Sequence, residues 1–217
     1  MKTKLAILDF DGTLGDTKGV IIKTLQQTIA RRGLPEKTDD ECAATIGLTL
    51  DDAFAKLFGL DKGECEKCTA LYREIFTENN KPGLVPVFPH VIETIRSIKN
   101  EGITVTIASS RGHESLDGFV RDLKLLPYVS LVIGSDDVER GKPDPQPVDI
   151  TLERTGFKAD EAIVVGDTTF DILMGRNAGT LTCGVTYGNG SRQQLEEAKA
   201  DFVIDDFANL EKIICGK

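Results

Sequence analysis

Apolar residues change rhythm along the chain, and the changes outline its elements. Leu5-Ala6-Ile7-Leu8 is a short continuous apolar run, and it predicts a buried strand over about Lys4 to Phe10. From Thr17 to Arg32 the apolar positions Val20, Ile21, Leu25 and Ile29 fall at helical spacing, and Gly33 ends the segment. Three more helical stretches follow, at about Asp39 to Ile46, Leu50 to Phe58 and Lys62 to Asn79. No strand-like alternation appears between Thr17 and Asn80, and Asn79-Asn80-Lys81-Pro82-Gly83 then breaks the helix.

After that break helices and strands alternate. Helix Pro89 to Asn100 leads to strand Ile103 to Ala108, and helix Glu114 to Leu123 to strand Leu131 to Gly134. Helix Gln146 to Thr155 precedes strand Ala162 to Gly166, and helix Thr169 to Ala178 precedes strand Leu181 to Val185. A short strand, Phe202 to Ile204, and a final helix close the pattern. Such alternation, with strands apolar throughout, implies a parallel sheet covered on both faces. The expected fold is a doubly wound α/β core, residues 1–15 and 83–217, with an all-helical insert, residues 16–82.

In such sheets ligands bind beyond the carboxyl ends of the strands, and polar residues gather at four of these ends. Asp9 and Asp11, two apart on a strand, project to the same side. Two such carboxylates repel by roughly 4 kcal/mol at about 4 Å and an effective dielectric of about 20, so a positive partner is needed. A divalent cation with oxygen ligands is the candidate. The second strand ends in Ser109-Ser110-Arg111, whose hydroxyls suit an oxyanion. Lys142 lies in Gly141-Lys142-Pro143, a loop just before a helix, and Asp167 and Asp171 are one helical turn apart after the fourth strand.

Each piece alone has an ordinary reading. Asp11-Gly12 between apolar residues signals a hairpin turn, but a helical pattern follows it rather than a return strand. An EF-hand needs Gly and Glu where Leu14 and Val20 stand. Ser109 and Ser110 could be loop or cap hydroxyls, Lys142 a surface lysine and Asp167 a helix cap. Four carboxylates, a lysine and a hydroxyl at one sheet edge are hard to explain by structure alone. Gly141-Lys142 lacks the remaining residues of a P-loop, Gly188-Asn189-Gly190 reads as a turn, and His90 and His113 as surface or supporting residues.

Composition narrows the partners. Of 217 residues, 26 are Lys or Arg and 35 Asp or Glu, a net charge of -9 that argues against general nucleic-acid or anionic-membrane binding. No run approaches a transmembrane span and the amino terminus carries no long apolar signal core, so the cytoplasm is the expected compartment. The five cysteines read as reduced thiols; Cys65-x-x-Cys68 has ligand spacing but no second pair to complete a zinc site. A monomer or homodimer is expected.

Taken together, Asp9-Phe10-Asp11-Gly12-Thr13, Ser109, Gly141-Lys142-Pro143 and Gly166-Asp167-x-x-x-Asp171 resemble, in order, the four motifs of the haloacid dehalogenase superfamily. The resemblance covers essentially the whole chain. The insert looks like the helical cap of the phosphoglycolate phosphatase-like subgroup, and Asp11, which dehalogenases of the superfamily lack, points to phosphoryl transfer. What the resemblance implies is specific. Asp9 would be the nucleophile and Asp11 the acid/base; Ser109, Ser110 and Lys142 would bind the phosphoryl group. Asp9, the Asp11 backbone carbonyl and Asp167 would hold Mg²⁺, with Asp171 supporting the metal's waters or Lys142.

The segment Gly47-Leu48-Thr49-Leu50 resembles the part of the cap that faces the site, so Thr49 and Leu50, with Lys56, are candidates for reading the substrate. The short, glycine-containing connections Gly15-Asp16-Thr17 and Asn80-Lys81-Pro82-Gly83 suggest a mobile lid. Gly15, His90 and Ser110-Arg111 depart from the usual pattern, and Gly15, Ser110 and Arg111 lie close enough to the motifs to affect substrate choice. The leading expectation is a Mg²⁺-dependent phosphatase of a small phosphorylated metabolite. A phosphomutase resembling β-phosphoglucomutase, an inorganic pyrophosphatase and a non-catalytic phosphate- or metal-binding protein are the alternatives.

Overall fold

The computed structural model describes residues 3–81 and 83–216. Strand β1 (Leu5–Leu8) opens the fold, and the insert follows as α1 (Lys18–Arg31), α2 (Asp39–Ala43), α3 (Leu50–Phe58) and α4 (Lys62–Asn79). The alternating part runs α5 (Val91–Asn100), β2 (Thr104–Ala108), α6 (His113–Asp122), β3 (Val129–Ile133), α7 (Gln146–Thr155) and β4 (Ala162–Gly166). It ends with α8 (Thr169–Asn177), β5 (Leu181–Val185), α9 (Arg192–Glu197), β6 (Phe202–Ile204) and α10 (Asn209–Cys215).

The strands form one parallel sheet in the order β3-β2-β1-β4-β5-β6. β1 lies inside it, with Leu5 level with Thr104 on β2 and Ala162 on β4. Its residues divide between the two faces. Ala6 and Leu8 join the larger apolar cluster, while Leu5 and Ile7 join a second one with Ala108, Ile133, Val148 and Val164. Burial on both faces explains why this strand reads as an unbroken apolar run. The strand order reverses direction at β1, so the crevice beyond its carboxyl end lies at the switch point of the sheet.

Several boundaries differ from the sequence reading. α2 stops at Ala43 rather than Ile46, because Thr45 and Ile46 donate their amides to the carbonyls three residues back and the chain tightens out of the helix. α5 begins only at Val91, after His90 adopts a left-handed φ of 64°. α9 was not anticipated. Its one buried residue is Leu195, so it has no apolar period, and its start is marked instead by the reciprocal Ser191–Gln194 capping bonds.

The insert leaves and rejoins the sheet through two adjacent segments. The Asp16 amide donates to the Pro86 carbonyl at 2.9 Å, and the Phe88 amide to the Leu14 carbonyl at 3.0 Å. The return crossing thus lies a few residues beyond Asn80–Gly83, of which Pro82 falls outside the described residues. Helix α4 rests on the core through Phe76, whose ring is 6.5 Å from Phe119 on α6; Phe119 in turn is 5.0 Å from Phe10. All five cysteines are free thiols, and Cys42, Cys65, Cys68 and Cys183 are buried. No helix among the described residues is long and apolar enough to cross a membrane.

Candidate active site

The end of β1 turns sharply to place its carboxylates. The Asp9 amide still pairs with the Val165 carbonyl of β4 at 2.8 Å, which fixes the residue at the sheet edge. Gly12 then takes φ +88°, and a Cβ there would lie 2.2 Å from an Asp167 oxygen, so only glycine fits the turn. The next strand end reaches the same point, with Asp167 leading directly into α8.

Beneath Asp9 lies a buried floor. Lys142 Nζ donates to Asp9 Oδ1 at 2.5 Å and to Asp171 Oδ1 at 2.6 Å, with all three side chains at most 5% exposed. The other Asp171 oxygen accepts from the Thr168 amide at 3.0 Å and hydroxyl at 2.7 Å, closing the first turn of α8. Asp167 Oδ2 accepts from the amide and the side-chain nitrogen of Asn189, at 2.6 and 2.9 Å. Thr13 Oγ1 approaches Asp167 Oδ1 at 3.3 Å.

Three buried carboxylates share this floor with one ammonium. Oxygens of Asp9, Asp167 and Asp171 lie within 4.8 Å of one another. Burial pushes Asp9 well above the ordinary carboxylate range; Lys142 pulls it down and the neighbouring carboxylates push it further up. Burial, then Asp171, raises Asp167 to about 7 against the Asn189 hydrogen bonds. Burial opposes the Lys142 charge, but Asp171 and Asp9 hold its pKa above the ordinary value. Asn189 Oδ1, on the amide that binds Asp167, is buried without a hydrogen-bond partner. An all-oxygen, charge-rich group with an orphaned acceptor beside it fits a hard divalent cation such as Mg²⁺.

Above the floor opens a cavity of about 800 Å³, lined by Asp9, Asp11, Ser109 and Arg111 from the core and by Thr49, Leu50 and Phe76 from the insert. The Asp11 side chain does not join the floor carboxylates. Both of its oxygens accept from Arg111, at 3.1 and 2.6 Å. Ser109 is buried, and its hydroxyl accepts from the Arg111 amide at 3.3 Å. Thr49 caps α3 by accepting from the Asp52 amide at 3.2 Å. Its methyl meets the loop before Lys142, where a Cβ on Gly141 would come within 2.8 Å.

Two residues have partners that the sequence does not indicate. Ser110 lines the cavity, and its hydroxyl donates to the Gly47 carbonyl of the insert at 2.7 Å, which ties the insert to the core. Lys56 is not part of the cavity lining. Its Nζ donates to the Ala44 carbonyl at 3.1 Å and lies 5.6 Å from the Phe170 ring. Asn189 and Thr13 are partners of the floor that pattern alone did not single out. The clue was present in Gly188-Asn189-Gly190: a Cβ at Gly188 would come within 2.4 Å of Asp167, and one at Gly190 within 2.3 Å of the Asp167 carbonyl.

The family model for haloacid dehalogenase-like hydrolases matches residues 6–185, which include every residue of the floor except Asn189. The chain belongs to this family. The haloacid dehalogenase-like chain is 34% identical over 212 residues to the probable phosphatase IndB of Dickeya dadantii, covering 95% of this chain and 91% of that one. It is 32% identical over 214 residues to pyrophosphatase PpaX of Bacillus cereus, covering 99% and 97%. Among solved structures, a haloacid dehalogenase-like hydrolase of inferred activity from Bacteroides fragilis superposes with a TM-score of 0.91 at 28% identity, covering 96% of this chain and all of that one. A hydrolase from Pseudomonas syringae, at 22% identity and a TM-score of 0.85 over 99% of each chain, shares the fold.

Proposed function

We propose that this haloacid dehalogenase-like hydrolase is a Mg²⁺-dependent phosphatase of a small phosphorylated metabolite, working through an aspartyl-phosphate. One observation carries the reading: Asp9, held by Lys142 over a floor of buried carboxylates, faces the same cavity as Asp11, two residues along. Relatives named as a phosphatase and a pyrophosphatase support phosphoryl chemistry. Pyrophosphate and phosphoglycolate are both substrates of a size that the cavity admits.

Each residue has a task. An Asp9 oxygen attacks phosphorus; the phosphorus–ester oxygen bond breaks as the aspartyl–phosphorus bond forms. Asp11 gives its proton to the leaving oxygen, then takes one from the water that attacks the intermediate, and phosphate leaves with Asp9 restored. Ser109 and Lys142 face the transferring oxygens, and Asp171 orients Lys142. Asp9, Asp167 and the Asp11 carbonyl would hold Mg²⁺, which when bound offsets the charge on the phosphoryl oxygens. The chain's own part is positioning and charge stabilisation, as phosphoryl transfer requires.

Hydrolysis of an aryl phosphate tests the reading. Turnover is expected with Mg²⁺, is lost on chelation with EDTA, and returns with Mg²⁺ but poorly with Ca²⁺, whose looser coordination misplaces the nucleophile. Undiminished turnover after exhaustive chelation would overturn the metal assignment, and no turnover under any condition would overturn the phosphatase.

A further inference from the structure

Arg111 is locked in place by everything around it. Nε and Nη2 donate to the two Asp11 oxygens, at 3.1 and 2.6 Å, and Nη1 donates to Ser115 Oγ at 3.2 Å. The guanidinium carbon lies 4.6 Å from the Phe76 ring on α4 and 4.9 Å from the Phe119 ring on α6. Its side chain is 8% exposed. Among the described residues, the other cations lining the cavity, Lys62 and Arg73, are exposed. Lys142 donates to Asp9 and Asp171, and the donor left to it belongs to the transferring phosphoryl group rather than to a second anion.

This pairing conflicts with the task of Asp11. A carboxylate held through both oxygens on one guanidinium is oriented toward that partner and not toward a leaving group. Turning Asp11 away would leave a buried, unpaired arginine, which is strongly unfavourable. The conflict disappears if another anion takes the place of Asp11 on the same fork. The leaving group, which has to lie beside Asp11, is the part of the substrate within reach of Arg111.

Resting on the phosphatase reading, we infer that Arg111 selects substrates whose leaving group carries a second anionic group, a carboxylate or a phosphate. That group takes over the guanidinium and frees Asp11 to protonate the leaving oxygen. Arg111 neither gains nor loses a proton; Asp11 takes its proton from solvent and gives it up as the phosphorus–oxygen bond breaks. Phe76 and Phe119 keep the guanidinium still, so the carboxylate of Asp11 is the part that moves.

The test compares kcat/KM for phosphoglycolate, pyrophosphate and the uncharged analogue 2-hydroxyethyl phosphate, in the wild type and in Arg111→Met. The wild type is expected to favour at least one anionic substrate over the neutral one by about 10- to 100-fold, the worth of a charge-assisted pair. Which one it favours distinguishes carboxylate from phosphate as the second group. In Arg111→Met the anionic substrate should fall while the neutral one rises, because Asp11 is no longer held. A general structural loss cannot produce such a crossed effect.

If the methionine variant does not fold, Arg111→Lys serves. It keeps the charge but not the fork, and the preference should shrink in the same crossed manner. Equal wild-type kcat/KM for all three substrates, or parallel changes in the folded variant, would overturn the inference while leaving a phosphatase in place. Failure of the wild type to hydrolyse any phosphate ester with Mg²⁺ would overturn both.

Discussion

The floor of the cavity and its upper wall are built in opposite ways. On the floor, Asp9, Lys142, Asp167 and Asp171 all come from the α/β core and are buried, and the three carboxylates accept from Lys142, Thr168, Asn189 or Thr13. The wall is assembled from both parts of the chain. Arg111 holds Asp11 between rings of α4 and α6, Ser110 reaches the Gly47 carbonyl, and Thr49 packs against the loop before Lys142. A floor made by strand ends can hold charge in a fixed place. A wall shared between core and insert brings side chains of both to whatever occupies the cavity. On this reading the chemistry belongs to the floor and the choice of substrate to the wall.

The sharpest way to break that division is at the floor. Asp9→Asn should lower kcat by about 10⁴-fold or more, as loss of a nucleophile does, with the fold retained. Acid-quenched enzyme incubated with a ³²P-labelled substrate should then carry no bound phosphate. Full turnover in a folded variant of verified sequence would remove Asp9 from the chemistry. Asp11→Asn, on the border between floor and wall, should cost less, about 10²- to 10⁴-fold with an alkyl phosphate. A very acidic leaving group needs no proton and should recover part of the first step in single-turnover experiments. An equal loss on both substrates would show that Asp11 does something other than proton transfer.

The same division explains what was legible in the sequence. Strands β4, β5 and β6 and helices α3, α4 and α7 fall where apolar period and breakers put them, because each is an unbroken run or a long amphipathic pattern. The residues of the floor are legible because they sit at strand ends or in the loops and first helical turns that follow them, and parallel topology gathers these at one edge. The wall was less legible. Ser110 and Lys56 are suitable residue types in suitable places, yet each bonds a carbonyl of the insert. Which group a side chain meets across two elements is set by their packing, and no periodicity records it. Arg111 was visible only as a departure from the family pattern, and its pairing with Asp11 across 100 residues of sequence needed the fold. Asn189 was hidden for another reason. It looked like turn chemistry because two glycines flank it, when those glycines are there to let the chain close on Asp167.

At the wall, effects should be smaller and should depend on the substrate. Thr49→Ser keeps the hydroxyl that caps α3 and removes the methyl that packs at Gly141. Leu50→Ala shortens its neighbour in the cavity lining. Each should change relative kcat/KM among phosphorylated metabolites by about tenfold, the range that single contacts in a pocket supply. Effects on an aryl phosphate should be much smaller. A uniform change across the panel would mean that the insert does not select the substrate.

The smallest expected effect separates the titration of the wall from that of the floor. His113 opens α6 directly after Arg111-Gly112, with Nδ1 2.5 Å from Asp137 Oδ2 and Nε2 3.6 Å from Asp117 Oδ2. Its amide donates to Asp136 Oδ1 at 2.7 Å. The Asp137 hydrogen bond, against partial burial and with help from the charges of Asp137, Asp117 and Asp136, raises its pKa above the ordinary histidine value. A raised folded pKa stabilises fully below the unfolded value of about 6.5, where both states are protonated. The contribution is lost as pH climbs through the folded value, because the native ring then gives up its charge. With Mg²⁺ kept saturating, so that the floor carboxylates stay ionised, Tm should fall by about 1–2 °C as pH rises from below 6.5 to above the raised value, since a part-exposed ion pair is worth at most ~1 kcal/mol. His113→Gln should flatten that slope. An unchanged slope in His113→Gln would place the titrating group elsewhere, and the anchoring of α6 beside Arg111 would then be independent of pH.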